Sequence, residues 1–440
     1  MRYAYVTVVI IISAALLFGC AESPVGIFES IEFERKIVDD RNLPNELPVG
    51  AITTAANHYF IAAGSMWYRN ANDADYPDNV ATWAEVTSPL GNQNLTTNSL
   101  ARFAATAGER IYVAYTSQDG TSAGVYAVDP AGLPDPDQAG YVPFEIADAA
   151  AVFTTAIDGV SGIDRLFVLD DGSSTYLAVA VGLSGTSRYG LYVSSTGASA
   201  EFTRVDGLET NSPIRDAATL PASSAVVLLT SRSIYLDADG INTGADPSNL
   251  AESLPLTDPA DPDSNRQPTF GSIFFDSAGT LWMSDNEGYL YRSADLGTTW
   301  TTNSAAFSVS TNNDEALPFT DFAEVTNADF GRLVIVGTDG YGYRELRALD
   351  AAGVAATPLA IDAALTPVTP DAQQSNYQGS ELAQASVLTF FVDSGVSGNV
   401  PNATGDNFTP QPGDRLFAGT SNLGLWKTLY YGVAPQWLRE

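Results

Sequence analysis

The chain holds one cysteine, Cys20, and one histidine, His58. That pair excludes intramolecular disulfides, zinc sites built from His and Cys, and pairing of a cysteine with a second histidine. His58 lies just before an apolar run and reads as a turn residue. No Gly-rich phosphate loop, nucleophile elbow or HExxH helix is present. A softer candidate is a calcium loop. Asp237, Asp239, Asn242 and Asp246 put four oxygen side chains around glycines, and Ca2+ favours hard, flexible oxygen ligands. The Gly falls too early for an EF-hand and the closing Glu is missing, so a solvated Asp-rich insertion is the competing reading. No other cofactor is implied. With 52 Asp and Glu residues, an acid/base pair could be nominated anywhere, so no catalytic residue is assigned. Arg102 and Arg215 are the cations placed to meet an anionic substrate, or simply to offset local acidic charge.

Cys20 takes its meaning from its position. Arg2, an apolar run from Val6 to Phe18 and then Gly19-Cys20 make a secretory signal. About 20 apolar residues are needed to span a bilayer, so the run is too short. Leu17-Phe18-Gly19-Cys20 resembles the bacterial lipoprotein lipobox, with Phe18 departing from the usual small or β-branched residue. The resemblance implies cleavage before Cys20, diacylation of its thiol and, with Ala21 following, the outer membrane of the cell envelope. Residues 1–19 are then a signal peptide, 20–49 a lipidated tether and 50–440 the folded domain. The formal charge of -32 disfavours phosphate backbones and anionic lipid headgroups, so nucleic acid is not an expected partner and membrane attachment would be lipid-borne.

What must position any site is a repeat. A short apolar run, a Gly/Asp/Asn turn and a second, aromatic run recur seven times, as in Tyr59–Ala63 with Met66–Tyr68, or Ala225–Leu229 with Ile234–Leu236. A further short run precedes each pair: 51–54, 101–104, 153–156, 214–217, 272–275, 322–325 and 385–388. Polar segments such as 82–85 and 299–301 follow. Turns such as Asp171-Gly172 and Asp339-Gly340 supply the positive φ that hairpins need. Four strands repeated seven times predict an all-β, seven-bladed β-propeller of four-stranded antiparallel blades. The acidic stretches Pro134-Asp135-Pro136-Asp137 and 258–263 read as solvated loops.

Residues 293–300 fit S-x-D-x-G-x-T-W through Ser293, Asp295, Gly297, Thr299 and Trp300. This resembles the Asp-box, or bacterial neuraminidase, repeat. The resemblance implies a folding element on the rim, between the third and fourth strands of a blade, away from any active centre. A sialidase-like site would further need three converging arginines, a Tyr–Glu nucleophile pair and an Asp acid/base. The early F/Y-R-I-P element is absent, and Arg41-Asn42-Leu43-Pro44 carries an extra residue. The expected function is a non-enzymatic, envelope-anchored platform for a protein or glycan ligand, with a glycoside hydrolase or lyase of the same fold as the alternative.

Overall fold

A strand enclosed on both faces cannot alternate apolar with polar, and Val226–Thr230, Leu281–Asp285 and Arg415–Thr420 are buried at every position. Each is the second strand of a blade in this computed structural model. The described residues are 43, 47–71 and most of 82–237, 251–253, 269–346, 382–428 and 437–439; 1–42, 72–81, 238–250, 254–268 and 347–381 are the main stretches outside.

Seven antiparallel sheets follow one another along the chain. Blade 1 comprises Ala51–Ala55, His58–Ala63, Ser65–Asn70 and Ala84–Val86. Blade 2 comprises Leu95–Ala105, Gly108–Ser117, Ala123–Val128 and Ala151–Thr154. Blade 3 comprises Val160–Asp170, Thr175–Leu183, Tyr189–Ser194 and Thr203–Arg204. Ile214–Thr219, Val226–Thr230, Ile234–Asp237 and Ala251–Ser253 form blade 4, and Phe270–Phe275, Leu281–Asp285, Leu290–Ser293 and Thr301–Thr302 form blade 5. Blade 6 has three strands among the described residues, Phe319–Asn327, Gly331–Thr338 and Tyr343–Leu346. Blade 7 is Val387–Asp393, Arg415–Thr420, Leu425–Thr428 and Trp437–Arg439, with the hairpin Ser397–Pro401/Phe408–Pro412 inserted after its first strand. Every expected second and third strand is present. One expected first strand is corrected: 153–156 overlaps the fourth strand of blade 2, and blade 3 begins at Val160. Cys20 and the Asp239, Asn242 and Asp246 positions lie outside the described residues, and Asp237 ends the third strand of blade 4.

Period-two geometry divides each second strand between two interfaces. Val226 and Leu228 pack toward blade 3, whereas Val227 and Leu229 pack toward blade 5. The result is seven separate apolar clusters, one for each pair of neighbouring blades, the last joining blade 7 to blade 1. Polarity follows radius. The fourth strands Thr203–Arg204 and Thr301–Thr302 are exposed or half-buried.

Among the described residues no strand is exchanged across the closing seam. Instead Val49 N–H donates to the Thr420 carbonyl at 2.9 Å. The Tyr59 ring lies 4.8 Å from that of Phe417, and its hydroxyl donates to Asp393 and accepts from Arg415 Nη1 at 2.9 Å. The buried Arg69 guanidinium lies over Tyr59 (4.8 Å) and Trp83 (5.3 Å), giving the cation a π-face where water is excluded. Leu43 and Val49, inside the stretch read as tether, are buried in this cluster.

Candidate functional site

The first strands line the axis of the ring, and their shared sequence feature is an apolar residue, two others, then a second apolar residue. It appears as Val49-x-x-Ile52, Ile163-x-x-Leu166, Ile214-x-x-Ala217, Phe270-x-x-Ile273, Phe319-x-x-Phe322 and Val387-x-x-Phe390. In blades 2 to 7 the ladder slips at this point, between Thr96 and Ser99, around Asp164, and between Ile214 and Asp216, Phe270 and Ile273, Phe319 and Phe322, and Val387 and Thr389. A bulge inserts an unpaired residue and re-aims its neighbours. At these slips Ser99, Arg165, Asp216, Ser272, Asp321 and Thr389, together with Ala51 of the unslipped blade 1, line one cavity of about 160 Å³.

Three blades supply the charges there. Asp216 accepts from Ser272 Oγ (2.6 Å), from Ile273 N–H of the next blade (2.9 Å) and from Ala217 N–H (2.9 Å). Asp321 accepts from Phe390 N–H of blade 7 (2.8 Å) and Phe322 N–H (2.9 Å), and Ser272 Oγ is 3.4 Å away. Burial pushes both carboxyls up, against the pull of Arg165 and the amides. Asp321, which also feels the Asp216 charge, is pushed up to about 6. A carboxyl in that state can hold or release a proton near neutral pH.

The arginines do not converge. Arg102 pairs with Glu109 across the first hairpin of blade 2. Arg215 Nη1 donates to the Phe270 carbonyl at 3.3 Å, and Arg165, which the sequence reading missed, donates to the Arg215 carbonyl. The apolar-x-x-apolar repeat was the signal that could have found Arg165, Asp216, Ser272 and Asp321 together.

A second cavity, about 330 Å³, lies against the outer edge of blade 1, lined by Trp67, Trp83, Glu85, Pro136, Tyr141 and Pro143 among others. Its wall is a loop of blade 2. Asp129 caps the short turn Pro130–Gly132, and Tyr68 Oη donates to the Pro134 carbonyl at 2.7 Å. Asp135 accepts from Asn70 Nδ2 (2.8 Å) and Asp137 from Thr82 N–H (3.0 Å). The loop then pairs with Thr87 through Phe144 and Ile146. Pro134–Asp137 is therefore an anchored wall, half-buried up to the exposed Asp137, because each carboxylate finds a donor on blade 1. His58 opens the second strand of blade 1, with Nδ1 3.0 Å from the Ala56 carbonyl, and burial lowers its pKa.

Residues 293–300 connect the third and fourth strands of blade 5. Ser293 Oγ accepts from Gly297 N–H (2.7 Å) and donates to Asp295 (2.8 Å). Asp295 in turn accepts from Thr299 N–H (2.8 Å) and Thr299 Oγ1 (2.7 Å), and these donors hold its carboxyl below the ordinary range. Gly297 has φ +80°, and Trp300 meets Tyr291 edge-on with ring centroids 6.5 Å apart. A shorter serine cap occurs in blade 3, where Ser194 Oγ accepts from Gly197 N–H at 2.9 Å. Among the described residues, no group of three or more His, Cys, Asp or Glu side chains is arranged to hold a metal ion.

No family model matches the chain, and no curated protein matches it. Among solved structures it is similar to YCF48 bound to D1 peptide, at 14% identity over 88% of this chain and 92% of that one, with a TM-score of 0.45. It is also similar to the WD40 β-propeller domain of Doa1, at 11% identity over 90% and 95%, again with a TM-score of 0.45. Likeness this loose carries no argument about function, and the seven blades stand on their own strands.

Proposed function

We propose that the chain is a non-enzymatic binding platform, an Asp-box-type β-propeller lipoprotein tethered to the bacterial envelope through lipid on Cys20. The observation that carries the binding role is the blade 1 groove, where Tyr141, Pro136, Pro143 and Glu85 form the accessible lining over the buried rings of Trp67 and Trp83. Aromatic side chains give large contact area at low entropic cost, which suits a glycan or peptide ligand. The arginines add support, since Arg102, Arg165 and Arg215 already have internal partners. Probing glycan and peptide arrays with residues 21–440 should give ligands whose binding Tyr141→Ala loses while its melting curve is kept. Array binding that survives Tyr141→Ala would reject the groove.

A second reading, a glycoside hydrolase or lyase, draws on the Asp216–Asp321 pair and the raised Asp321 carboxyl. It requires turnover of a fluorogenic glycoside that Asp321→Asn abolishes. The anchoring proposal rests on the lipobox-like sequence. The wild-type chain should partition with membranes and Cys20→Ser should become soluble. A Cys20→Ser protein that stays with the membrane removes the anchor.

A further inference from the structure

Ser272 Oγ carries one hydrogen, yet it faces two carboxyls, at 2.6 Å from Asp216 Oδ2 and 3.4 Å from Asp321 Oδ1. It can donate to only one of them. The nearer, Asp216, is also raised by burial, but it already accepts two backbone N–H groups, and these and Arg165 pull it back toward its charged form. The remaining contact becomes a hydrogen bond only when Asp321 is protonated and donates to Ser272 Oγ. We propose that Asp216, Ser272 and Asp321 form a one-proton clamp across blades 4, 5 and 6, closing this arc of the ring around the axial cavity. The clamp is independent of whether the protein binds or hydrolyses a ligand.

Loss of the proton to solvent leaves two carboxylates competing for one hydroxyl donor. The Asp321–Ser272 bond is lost and like charges face each other across it, so the seam between blades 5 and 6 loosens at the cavity. The Phe390 N–H still reaches Asp321, so the blade 6–7 junction is spared. The other charged side chains on the first strands have their own places. Arg165 faces both carboxyls, Asp164 sits at the adjacent bulge, and Arg215 is turned to the Phe270 carbonyl. Glu324 binds Arg332 and Ser277, Arg102 pairs with Glu109, Asp170 accepts from Gly172 N–H in its hairpin turn, and Asp393 meets Tyr59 at the seam. The first strands of blades 1 and 5 carry no titratable side chain.

The burial of Asp321 sets the sign and the window. Its folded value near 6 lies above the ordinary 3.8, so the stability tied to its proton is complete below 3.8 and lost as pH rises to about 6. Asp321→Asn keeps an acceptor for Phe390 and gives Ser272 a fixed amide donor. The melting temperature of the wild type relative to Asp321→Asn should therefore fall by a few degrees between pH 4 and about 6.5, then stay level. Parallel melting profiles for the two proteins would overturn the clamp. Should Asp321→Asn not fold, infrared titration of the wild type serves alone. A protonated-carboxyl band persisting at pH 5 supports the proposal, and its absence there overturns it. In Asp216→Asn the same band should titrate at lower pH, because the neighbouring charge is gone. An unmoved band would show that the two carboxyls are not coupled and would overturn the clamp.

Discussion

Asp295 and Asp321 are the same residue type pushed in opposite directions. The first stands in solvent with three donors on its carboxylate, and the second faces another carboxylate inside the ring. A depressed folded value means stability that is present above the ordinary 3.8 and lost as pH falls through the folded value. Asp295→Asn should lower the melting temperature at neutral pH, with the gap to the wild type closing in acid below 3.8. A gap that persists unchanged at low pH would mean that the carboxylate charge plays no part in the turn. The 293–300 turn was legible in the sequence because all its hydrogen bonds close within eight residues. The axial cluster was not. Arg165, Asp216, Ser272 and Asp321 come from four blades, and only the apolar-x-x-apolar step, compared blade against blade, puts them at one position.

At the scale of the element, legibility followed burial. Second strands are enclosed by neighbours on both sides and carry unbroken apolar runs, so all seven stood out. First strands face the axis on one side and are interrupted by bulges. Val160–Asp170 shows it best, alternating buried with half-buried or exposed residues and carrying Asp164 and Arg165, while the more apolar Phe153 strand before it belongs to the previous blade. Hairpins are also held from within. Buried Asp276 caps the first hairpin of blade 5 by accepting from Ala278 N–H (3.0 Å), Thr280 N–H (2.8 Å) and Trp282 Nε1 (3.0 Å). It also lies 3.4 Å from Arg332 of blade 6. Asp276→Ala strands a buried indole N–H and removes the cap, at a cost of about 3 kcal/mol. A urea melt should show a lower midpoint with an unchanged slope. A slope that falls as well would mean that blade 5 melts apart from the ring.

On the scale of the whole molecule, stability is distributed over seven similar interfaces, of which the seam between blades 7 and 1 is the one spanning the full chain. A Cβ on Gly419 would stand 2.6 Å from the Val49 carbonyl, closer than real atoms approach. Gly419→Ala should therefore cost about 1–3 kcal/mol and act at the closure, read as faster hydrogen exchange at Val49 and Tyr59 than at the blade 3–4 interface. Uniform acceleration across all blades would instead indicate one cooperative unit. The same seam has a consequence in time. Among the described residues every blade is assembled from one stretch of the chain, so six interfaces can form as the chain lengthens, whereas the seventh joins Tyr59 and Trp67 to Phe417 and Leu425. Closing so long a loop is slow compared with forming local pairs. The first blade made must keep Tyr59, Ile61 and Trp67 waiting, uncovered, until the last blade arrives, and that wait is when this chain is most open to aggregation or to the attention of a chaperone.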